Sequence, residues 1–182
     1  MEVLILSVDV GLALLRIVVG LIVAAHGSQK LFGWFGGPGL RGFTGWMGMM
    51  GLRPAPLWGV LGGLAEFGGG LLLALGLLSP LGSLGVLAAM SSAIVLAHWP
   101  RFWAMDNGAE HPLTNGAAAV ALAITDPGAY SLDHTLGIAL PGEITVAALA
   151  LVVLGVLTTI GMNAAAKRSP RLEVVEREAE AA

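Results

Sequence analysis

Long uncharged apolar runs dominate this chain. They cover Val10–Ala25 (extending to about Lys30), Leu57–Leu78, Leu81–Ala97, Leu113–Thr125 and Ile144–Met162. A helix needs roughly 20 apolar residues to cross a bilayer, so the first, second and fifth runs qualify outright. The third qualifies with Pro80 and His98 at the interface. The fourth is short and carries Pro112 in its first turn, where the missing N–H costs nothing. Its shortness places that first turn below the membrane surface, under protein. Only 12% of the 182 residues are charged and mean hydropathy is +0.84, against about 25% charged in soluble domains. A soluble fold of this size has no core large enough to hide so much apolar surface. The chain has no cysteine, which excludes a disulfide or thiolate–metal scaffold.

The fold class is therefore all-α and polytopic. We expect a four-helix membrane core over residues 1–142, a fifth C-terminal transmembrane helix over 143–163 and a charged cytoplasmic tail over 164–182. With the N-terminus outside, the inner side receives Lys30, Arg41, Arg53, Arg101, Lys167, Arg168, Arg171 and Arg177, eight of the nine basic residues. The outer connections, Ser79–Pro80 and Asp126–Glu143, carry none. This matches the positive-inside rule and predicts a multi-pass protein of the plasma membrane with a cytoplasmic C-terminus. The first residues lack the basic stretch and small-residue cleavage site of a signal peptide, so the first run is expected to be retained.

The loop over 27–56 is rich in glycine and aromatic residues. Leu40, Phe43, Met47 and Met50 recur at near-helical spacing, which predicts a short interfacial helix with its rings at headgroup level. Gly37-Pro38-Gly39-Leu40-Arg41-Gly42 formally matches G-x-G-x-x-G. No strand precedes it, so it is not a dinucleotide fingerprint. Nothing in the chain predicts a nucleic-acid partner.

Ionisable groups inside a membrane helix are costly and point to function. Glu66 stands near the middle of the second run, with Gly59, Gly62, Gly63, Gly69 and Gly70 at offsets of −7, −4, −3, +3 and +4 on its own face. Small residues mark the side where membrane helices approach closely, so Glu66 faces the bundle and needs a partner. Arg16, in the first run, is the first candidate. His26, Gln29 and Lys30 form a polar stripe at the inner end of that run. His98 closes the third run at the same end, and Glu110, His111 and Asn115 open the fourth. Imidazole and carboxylate exchange protons near neutral pH and hydrogen-bond quinone oxygens. They also ligate metals, but no H-x-x-x-H or H-x-x-E-H spacing supports a metal site, and haem ligation by paired histidines ranks lower still. Interhelical hydrogen bonding without any ligand is the plain alternative.

These residues fall in a known order. His26-Gly27-Ser28-Gln29-Lys30-Leu31-Phe32-Gly33 resembles the H-G-x-Q-K-L-F-G signature of the DoxX family. The glycine-flanked Glu66, then His98-Trp99-Pro100, Phe102-Trp103, Glu110 and Pro127-Gly128-x-Tyr130-Ser131-Leu132-Asp133 are similar to the rest of that family's pattern. The resemblance runs from Gly11 to Asp133 and leaves out the fifth span and the tail. It implies a small membrane protein with a four-helix core; some members are membrane subunits of thiosulfate–quinone oxidoreductases.

The expected function is a quinone-linked redox component or the membrane subunit of an oxidoreductase. Glu66 and His26 would be its proton-exchanging residues. Gln29, Lys30, His98, Glu110, His111 and Asn115 would complete the site, with Trp34 or Trp99 on the quinone ring. Electrons would come from a partner redox protein or a soluble donor. A transporter or binder of a small or lipid-like solute is the alternative, since the first and third runs both end inward on a histidine followed by an aromatic loop. A structural subunit without a ligand is the third reading. The glycine-rich faces also suit packing between copies of the chain.

Overall fold

The computed structural model describes the backbone of residues 2–168 and the side chains of residues 8–168. The tail beyond residue 168, with Arg171 and Arg177, lies outside the described residues. Helix α1 covers Glu2–Phe32 and a 3-10 turn at Trp34–Gly36 leads into α2, Gly39–Met49. Helices α3 (Ala55–Leu75) and α4 (Leu81–Ala93) follow, and α4 continues through a π-helical turn, Ile94–His98. Then come α5 (Glu110–Ile124), the short α6 (Leu132–Leu136) and α7 (Gly142–Lys167). The described residues contain no strand.

Helices α1, α3, α4 and α5 make the four-helix core, and α7 packs on α4 as a fifth. Val19, Val23, Leu73, Val86, Ala89, Met90, Ala119 and Leu122 interlock at its centre. Four helices are long and apolar enough to cross a membrane: Val8–Phe32, Ala55–Leu75, Leu81–His98 and Gly142–Lys167. Helix α5, with 15 residues, rises only about 22 Å, short of a hydrocarbon core of about 30 Å. The loop over 101–109 makes up the length. It folds back so that Arg101 O and Phe102 O accept from Ala109 N and Glu110 N, covering the first turn of α5, where Pro112 is buried.

Glycines set how the helices meet. A Cβ on Gly20 would lie 2.5 Å from Gly70 O, one on Gly27 2.2 Å from Phe67 N, and one on Gly63 2.4 Å from Leu31. These contacts fix the antiparallel register of α1 on α3. The other face glycines of α3 admit different neighbours: Gly59 receives Thr44 of α2, and Gly69 receives the backbone of α4 at Gly82–Val86. One helix face thus serves three partners, because close backbone approach replaces side-chain volume.

The same register corrects the expectation for Arg16. Glu66 stands level with Gly27–Lys30. Arg16 is 11 residues before Gly27, about 16 Å along the helix, and does not reach it. Its guanidinium is buried at the opposite end of the bundle, where Nη2 donates to Tyr130 O at 3.0 Å. Its Nε and Nη1 have no partner among the described residues. Beside it, Asp133 accepts from Leu78 N at 2.8 Å and Ser79 N at 2.7 Å, binding the α3–α4 turn to α6. Asp9 accepts from Ala129 N at 3.1 Å. This end is a polar clasp on loops.

Gly27→Ala is expected to lower the midpoint of thermal unfolding in detergent, since an overpacked contact costs roughly 1–3 kcal/mol. Gly68→Ala, whose Cβ meets nothing within 4 Å, should leave the midpoint unchanged or raise it. Equal effects of the two substitutions would contradict the register.

Candidate functional site

Glu66 lies 11 residues into α3, about 16 Å along its axis, and is 2% exposed. A carboxylate at that depth persists only with a partner, and the partner is Lys30. Lys30 Nζ donates to Glu66 Oε1 in an ion pair between α1 and α3. The ammonium also lies 4.9 Å from the centroid of the Phe43 ring on α2, a cation–π contact. One cation therefore joins three helices. The second carboxylate oxygen, Oε2, is buried and has no hydrogen-bond partner among the described residues.

The pair stands on the wall of a cavity of about 710 Å³, within the range of small-molecule sites. His26 and Lys30 reach it from α1, Phe43 and Trp46 from α2, and Glu66 from α3. The π turn contributes His98, and α7 closes one side through Leu151, Val152, Gly155, Val156 and Thr159. The lining is apolar apart from these polar groups and Ser92 of α4. Phe43 and Trp46 stack with centroids 5.9 Å apart and planes 13° from parallel. Phe43 is buried and Trp46 half-buried, so the short helix expected from the loop carries both residues against the protein.

His98 owes its position to the π turn. The wider turn, closed by Trp99 N donating to Ile94 O at 2.8 Å, re-aims the last residue of α4 before Pro100 ends the helix. His98 Nδ1 donates to Asn107 O at 2.8 Å, since a carbonyl only accepts. Glu110 holds the loop that supplies Asn107, with Oε2 accepting from Ala104 N at 2.9 Å.

Of the residues singled out in the sequence, His26, Lys30, Glu66 and His98 line the cavity together. His26 also borders a second hollow of about 170 Å³ with Ala25, Gln29 and Phe35, and Gln29 does not line the main cavity. Glu110, His111 and Asn115 do not line the main cavity, and His111 is exposed. Trp34 packs near Phe32 and Phe67, with centroids at 5.0 and 6.5 Å, and Trp99 is 74% exposed; neither lines it. The aromatic wall is instead Phe43, Trp46 and Trp58. Among the described residues, no three His, Cys, Asp or Glu side chains gather closely enough to hold a metal ion.

The cavity wall thus offers a cationic donor beside an uncovered carboxylate oxygen, an imidazole elsewhere on the lining, and flat aromatic surface. Fold and site together define a polytopic α-helical membrane protein with an ion pair inside the bundle. Comparison with protein families then gives one match: the DoxX family model covers residues 11–99, so that stretch is a DoxX membrane domain. The matched stretch holds α1 to the π turn, and with it His26, Lys30, Glu66 and His98. It ends before Glu110, the 127–133 motif and α7. No curated protein and no solved structure matches the chain.

Lys30→Met is expected to destabilise the protein by about 3–5 kcal/mol, because it leaves a buried carboxylate without its cation. Adding Glu66→Gln to Lys30→Met should recover most of that loss. Thermal unfolding of the two single variants and the double variant measures the coupling, and additive losses would show that the pair does not interact.

Proposed function

We propose that the protein binds a quinone in this cavity and serves as the quinone-handling membrane subunit of an oxidoreductase. The observation that carries this reading is Glu66 Oε2, a buried acceptor without a donor, placed beside the Lys30 donor at the wall of an aromatic-lined cavity. A ring with carbonyl or hydroxyl oxygens suits such a wall. Lys30 Nζ donates to a carbonyl oxygen, and Glu66 Oε2 accepts from a hydroxyl. Phe43, Trp46 and Trp58 supply flat apolar surface for the ring and keep water from the charged pair.

A bound quinone supplies two-electron, two-proton redox chemistry. The part of this chain is to hold the ring and move protons. Glu66 Oε2 takes the proton that a ring hydroxyl releases, and His26, which borders both the cavity and the smaller hollow beside Gln29, passes it toward the surface. The chain has no cysteine and offers no electron carrier of its own, so electrons arrive from a partner redox protein or a soluble donor. The basic residues orient the site toward the cytoplasmic side of the plasma membrane, with the N-terminus outside.

Adding a soluble quinone analogue at about a hundredfold excess over Kd is expected to stabilise the protein by about 2.7 kcal/mol. In Glu66→Gln most of that gain should be lost. Absence of any shift in the wild type, or the same shift in both, contradicts the proposal. Uptake of a solute into proteoliposomes that vanishes in Glu66→Gln, without a quinone-dependent shift, would favour a transporter instead.

A further inference from the structure

Helix α7 is fastened to the protein at one end and parts from it toward the other. At the inner end Asn163 Nδ2 donates to Met50 O at 2.9 Å, and Ala166 rests on Gly51, in the turn before α3. Thr159 and Asn163 are buried, Val152, Gly155 and Val156 are half-buried, and Leu151 is 69% exposed. Cover on this face is thus lost step by step over the 12 residues from Asn163 to Leu151, about 18 Å of helix. Helix α3 follows the same course. Leu52 just before it is buried, Trp58 is half-buried, and Leu61 is 48% exposed.

The inner end of the cavity is filled. Phe43, Met47 and Leu52 form a buried apolar cluster there, with Trp46, Trp58 and Leu96 packed around it, and α7 packs on the π turn that carries His98. Glu66 lies deeper in the bundle than this floor. Gly69 meets the backbone of α4 at Gly82–Val86, which brings Glu66 level with Ala88 and Ala89 and leaves His98 several turns away. The open side is elsewhere. Leu61 and Leu151 both line the cavity and are both exposed, so they stand at its mouth, between two helices that are long and apolar enough to span a membrane. Leu61 is six residues into α3 and Leu151 nine into α7, about 9 and 14 Å along their axes. Both depths fall inside a hydrocarbon core of about 30 Å.

We propose that the cavity is loaded sideways from the bilayer, through an opening between α3 and α7 with Leu61 and Leu151 at its edges. Its ligand is then an uncharged molecule dissolved in the hydrocarbon, and a charged solute has no way in past the filled inner end. The inference rests on the reading of the cavity as a ligand site and adds the route by which that site fills. Helix α7 lies outside the stretch that the DoxX model matches, so one edge of the opening comes from a helix beyond that domain. An opening sets how fast a ligand arrives and leaves, not how tightly it is held. Bulk at its edge raises the barrier in both directions alike, whereas bulk inside the site changes affinity.

The chain has no cysteine, so a nitroxide label can be placed at one introduced thiol at a time in the full-length protein in nanodiscs. At Val152→Cys, inside the cavity, collisions with oxygen, which concentrates in hydrocarbon, should outnumber those with a water-soluble nickel chelate. Leu157→Cys on the exposed face of α7 supplies the lipid reference, and Arg101→Cys in the exposed inner loop the aqueous one. The aqueous ratio at Val152→Cys overturns the route, whatever the cavity binds. A second arm follows binding of a methoxy- and methyl-substituted benzoquinone by stopped-flow quenching of tryptophan fluorescence. Leu151→Phe is expected to slow association and dissociation by about tenfold each, a barrier of about 1.4 kcal/mol, and to leave Kd unchanged. Leu61→Phe should act likewise, which keeps this arm open if one variant does not fold, and Leu157→Phe should change neither rate. Unchanged rates in both edge variants, or a weaker Kd with association unaltered, overturn the opening while leaving the quinone site in place. Failure of the benzoquinone to bind the wild type overturns the quinone reading, and the nitroxide ratio still decides the route.

Discussion

A carboxylate halfway along a membrane helix must be neutralised, and much of this structure is arranged around how that is done. Among the described residues Glu66 pairs with Lys30, and the two meet because α1 and α3 approach closely at Gly20, Gly27, Gly63 and Gly70. Close approach needs small residues, small residues leave little side-chain packing, and the ion pair supplies a specific contact in its place. The same cation lies over Phe43, which ties α2 against the pair. Stabilisation from such a buried pair is modest in net terms, because desolvation offsets most of the attraction. Its value lies in fixing register and in presenting a charged group to a cavity.

The pair is incomplete as a structural device. One carboxylate oxygen is satisfied and the other is not, although Glu66 is buried. A purely architectural ion pair gains from satisfying both oxygens, whereas a site that binds and releases a hydroxyl-bearing ligand needs one left over. The π turn at Ile94–His98 carries the same sense. It costs regular hydrogen bonding at the end of α4 and places a histidine beside the same cavity, with its ring oriented by Asn107. Helix α7 then encloses a space that the DoxX-matched stretch alone would leave open.

Much of this was legible in the sequence. The apolar runs located the spanning helices, and the glycine spacing around Glu66 located the buried face of α3, because both signals are periodic within one helix. The partner of Glu66 was not legible. Choosing between Arg16 and Lys30 requires the register between two helices, which depends on which glycine meets which neighbour. The ring-bearing residues of α2 were found, but their orientation was not: an amphipathic helix reads the same against lipid as against protein. The wall formed by α7 gave no signal, since a helix apolar on every side shows no preferred face. The π turn also left no mark, because Pro100 announces only that the helix ends.

The proposed role of Glu66 requires that Oε2 lacks a donor among the described residues because a bound ligand supplies one. A cryo-electron microscopy map of the protein extracted with its own membrane lipids into nanodiscs tests that claim directly. The predicted result is density in the cavity between His98, Phe43 and α7, with a polar atom within hydrogen-bonding distance of Glu66 Oε2. A cavity closed by side chains of α7, with Oε2 bonded to a neighbouring helix, would contradict it.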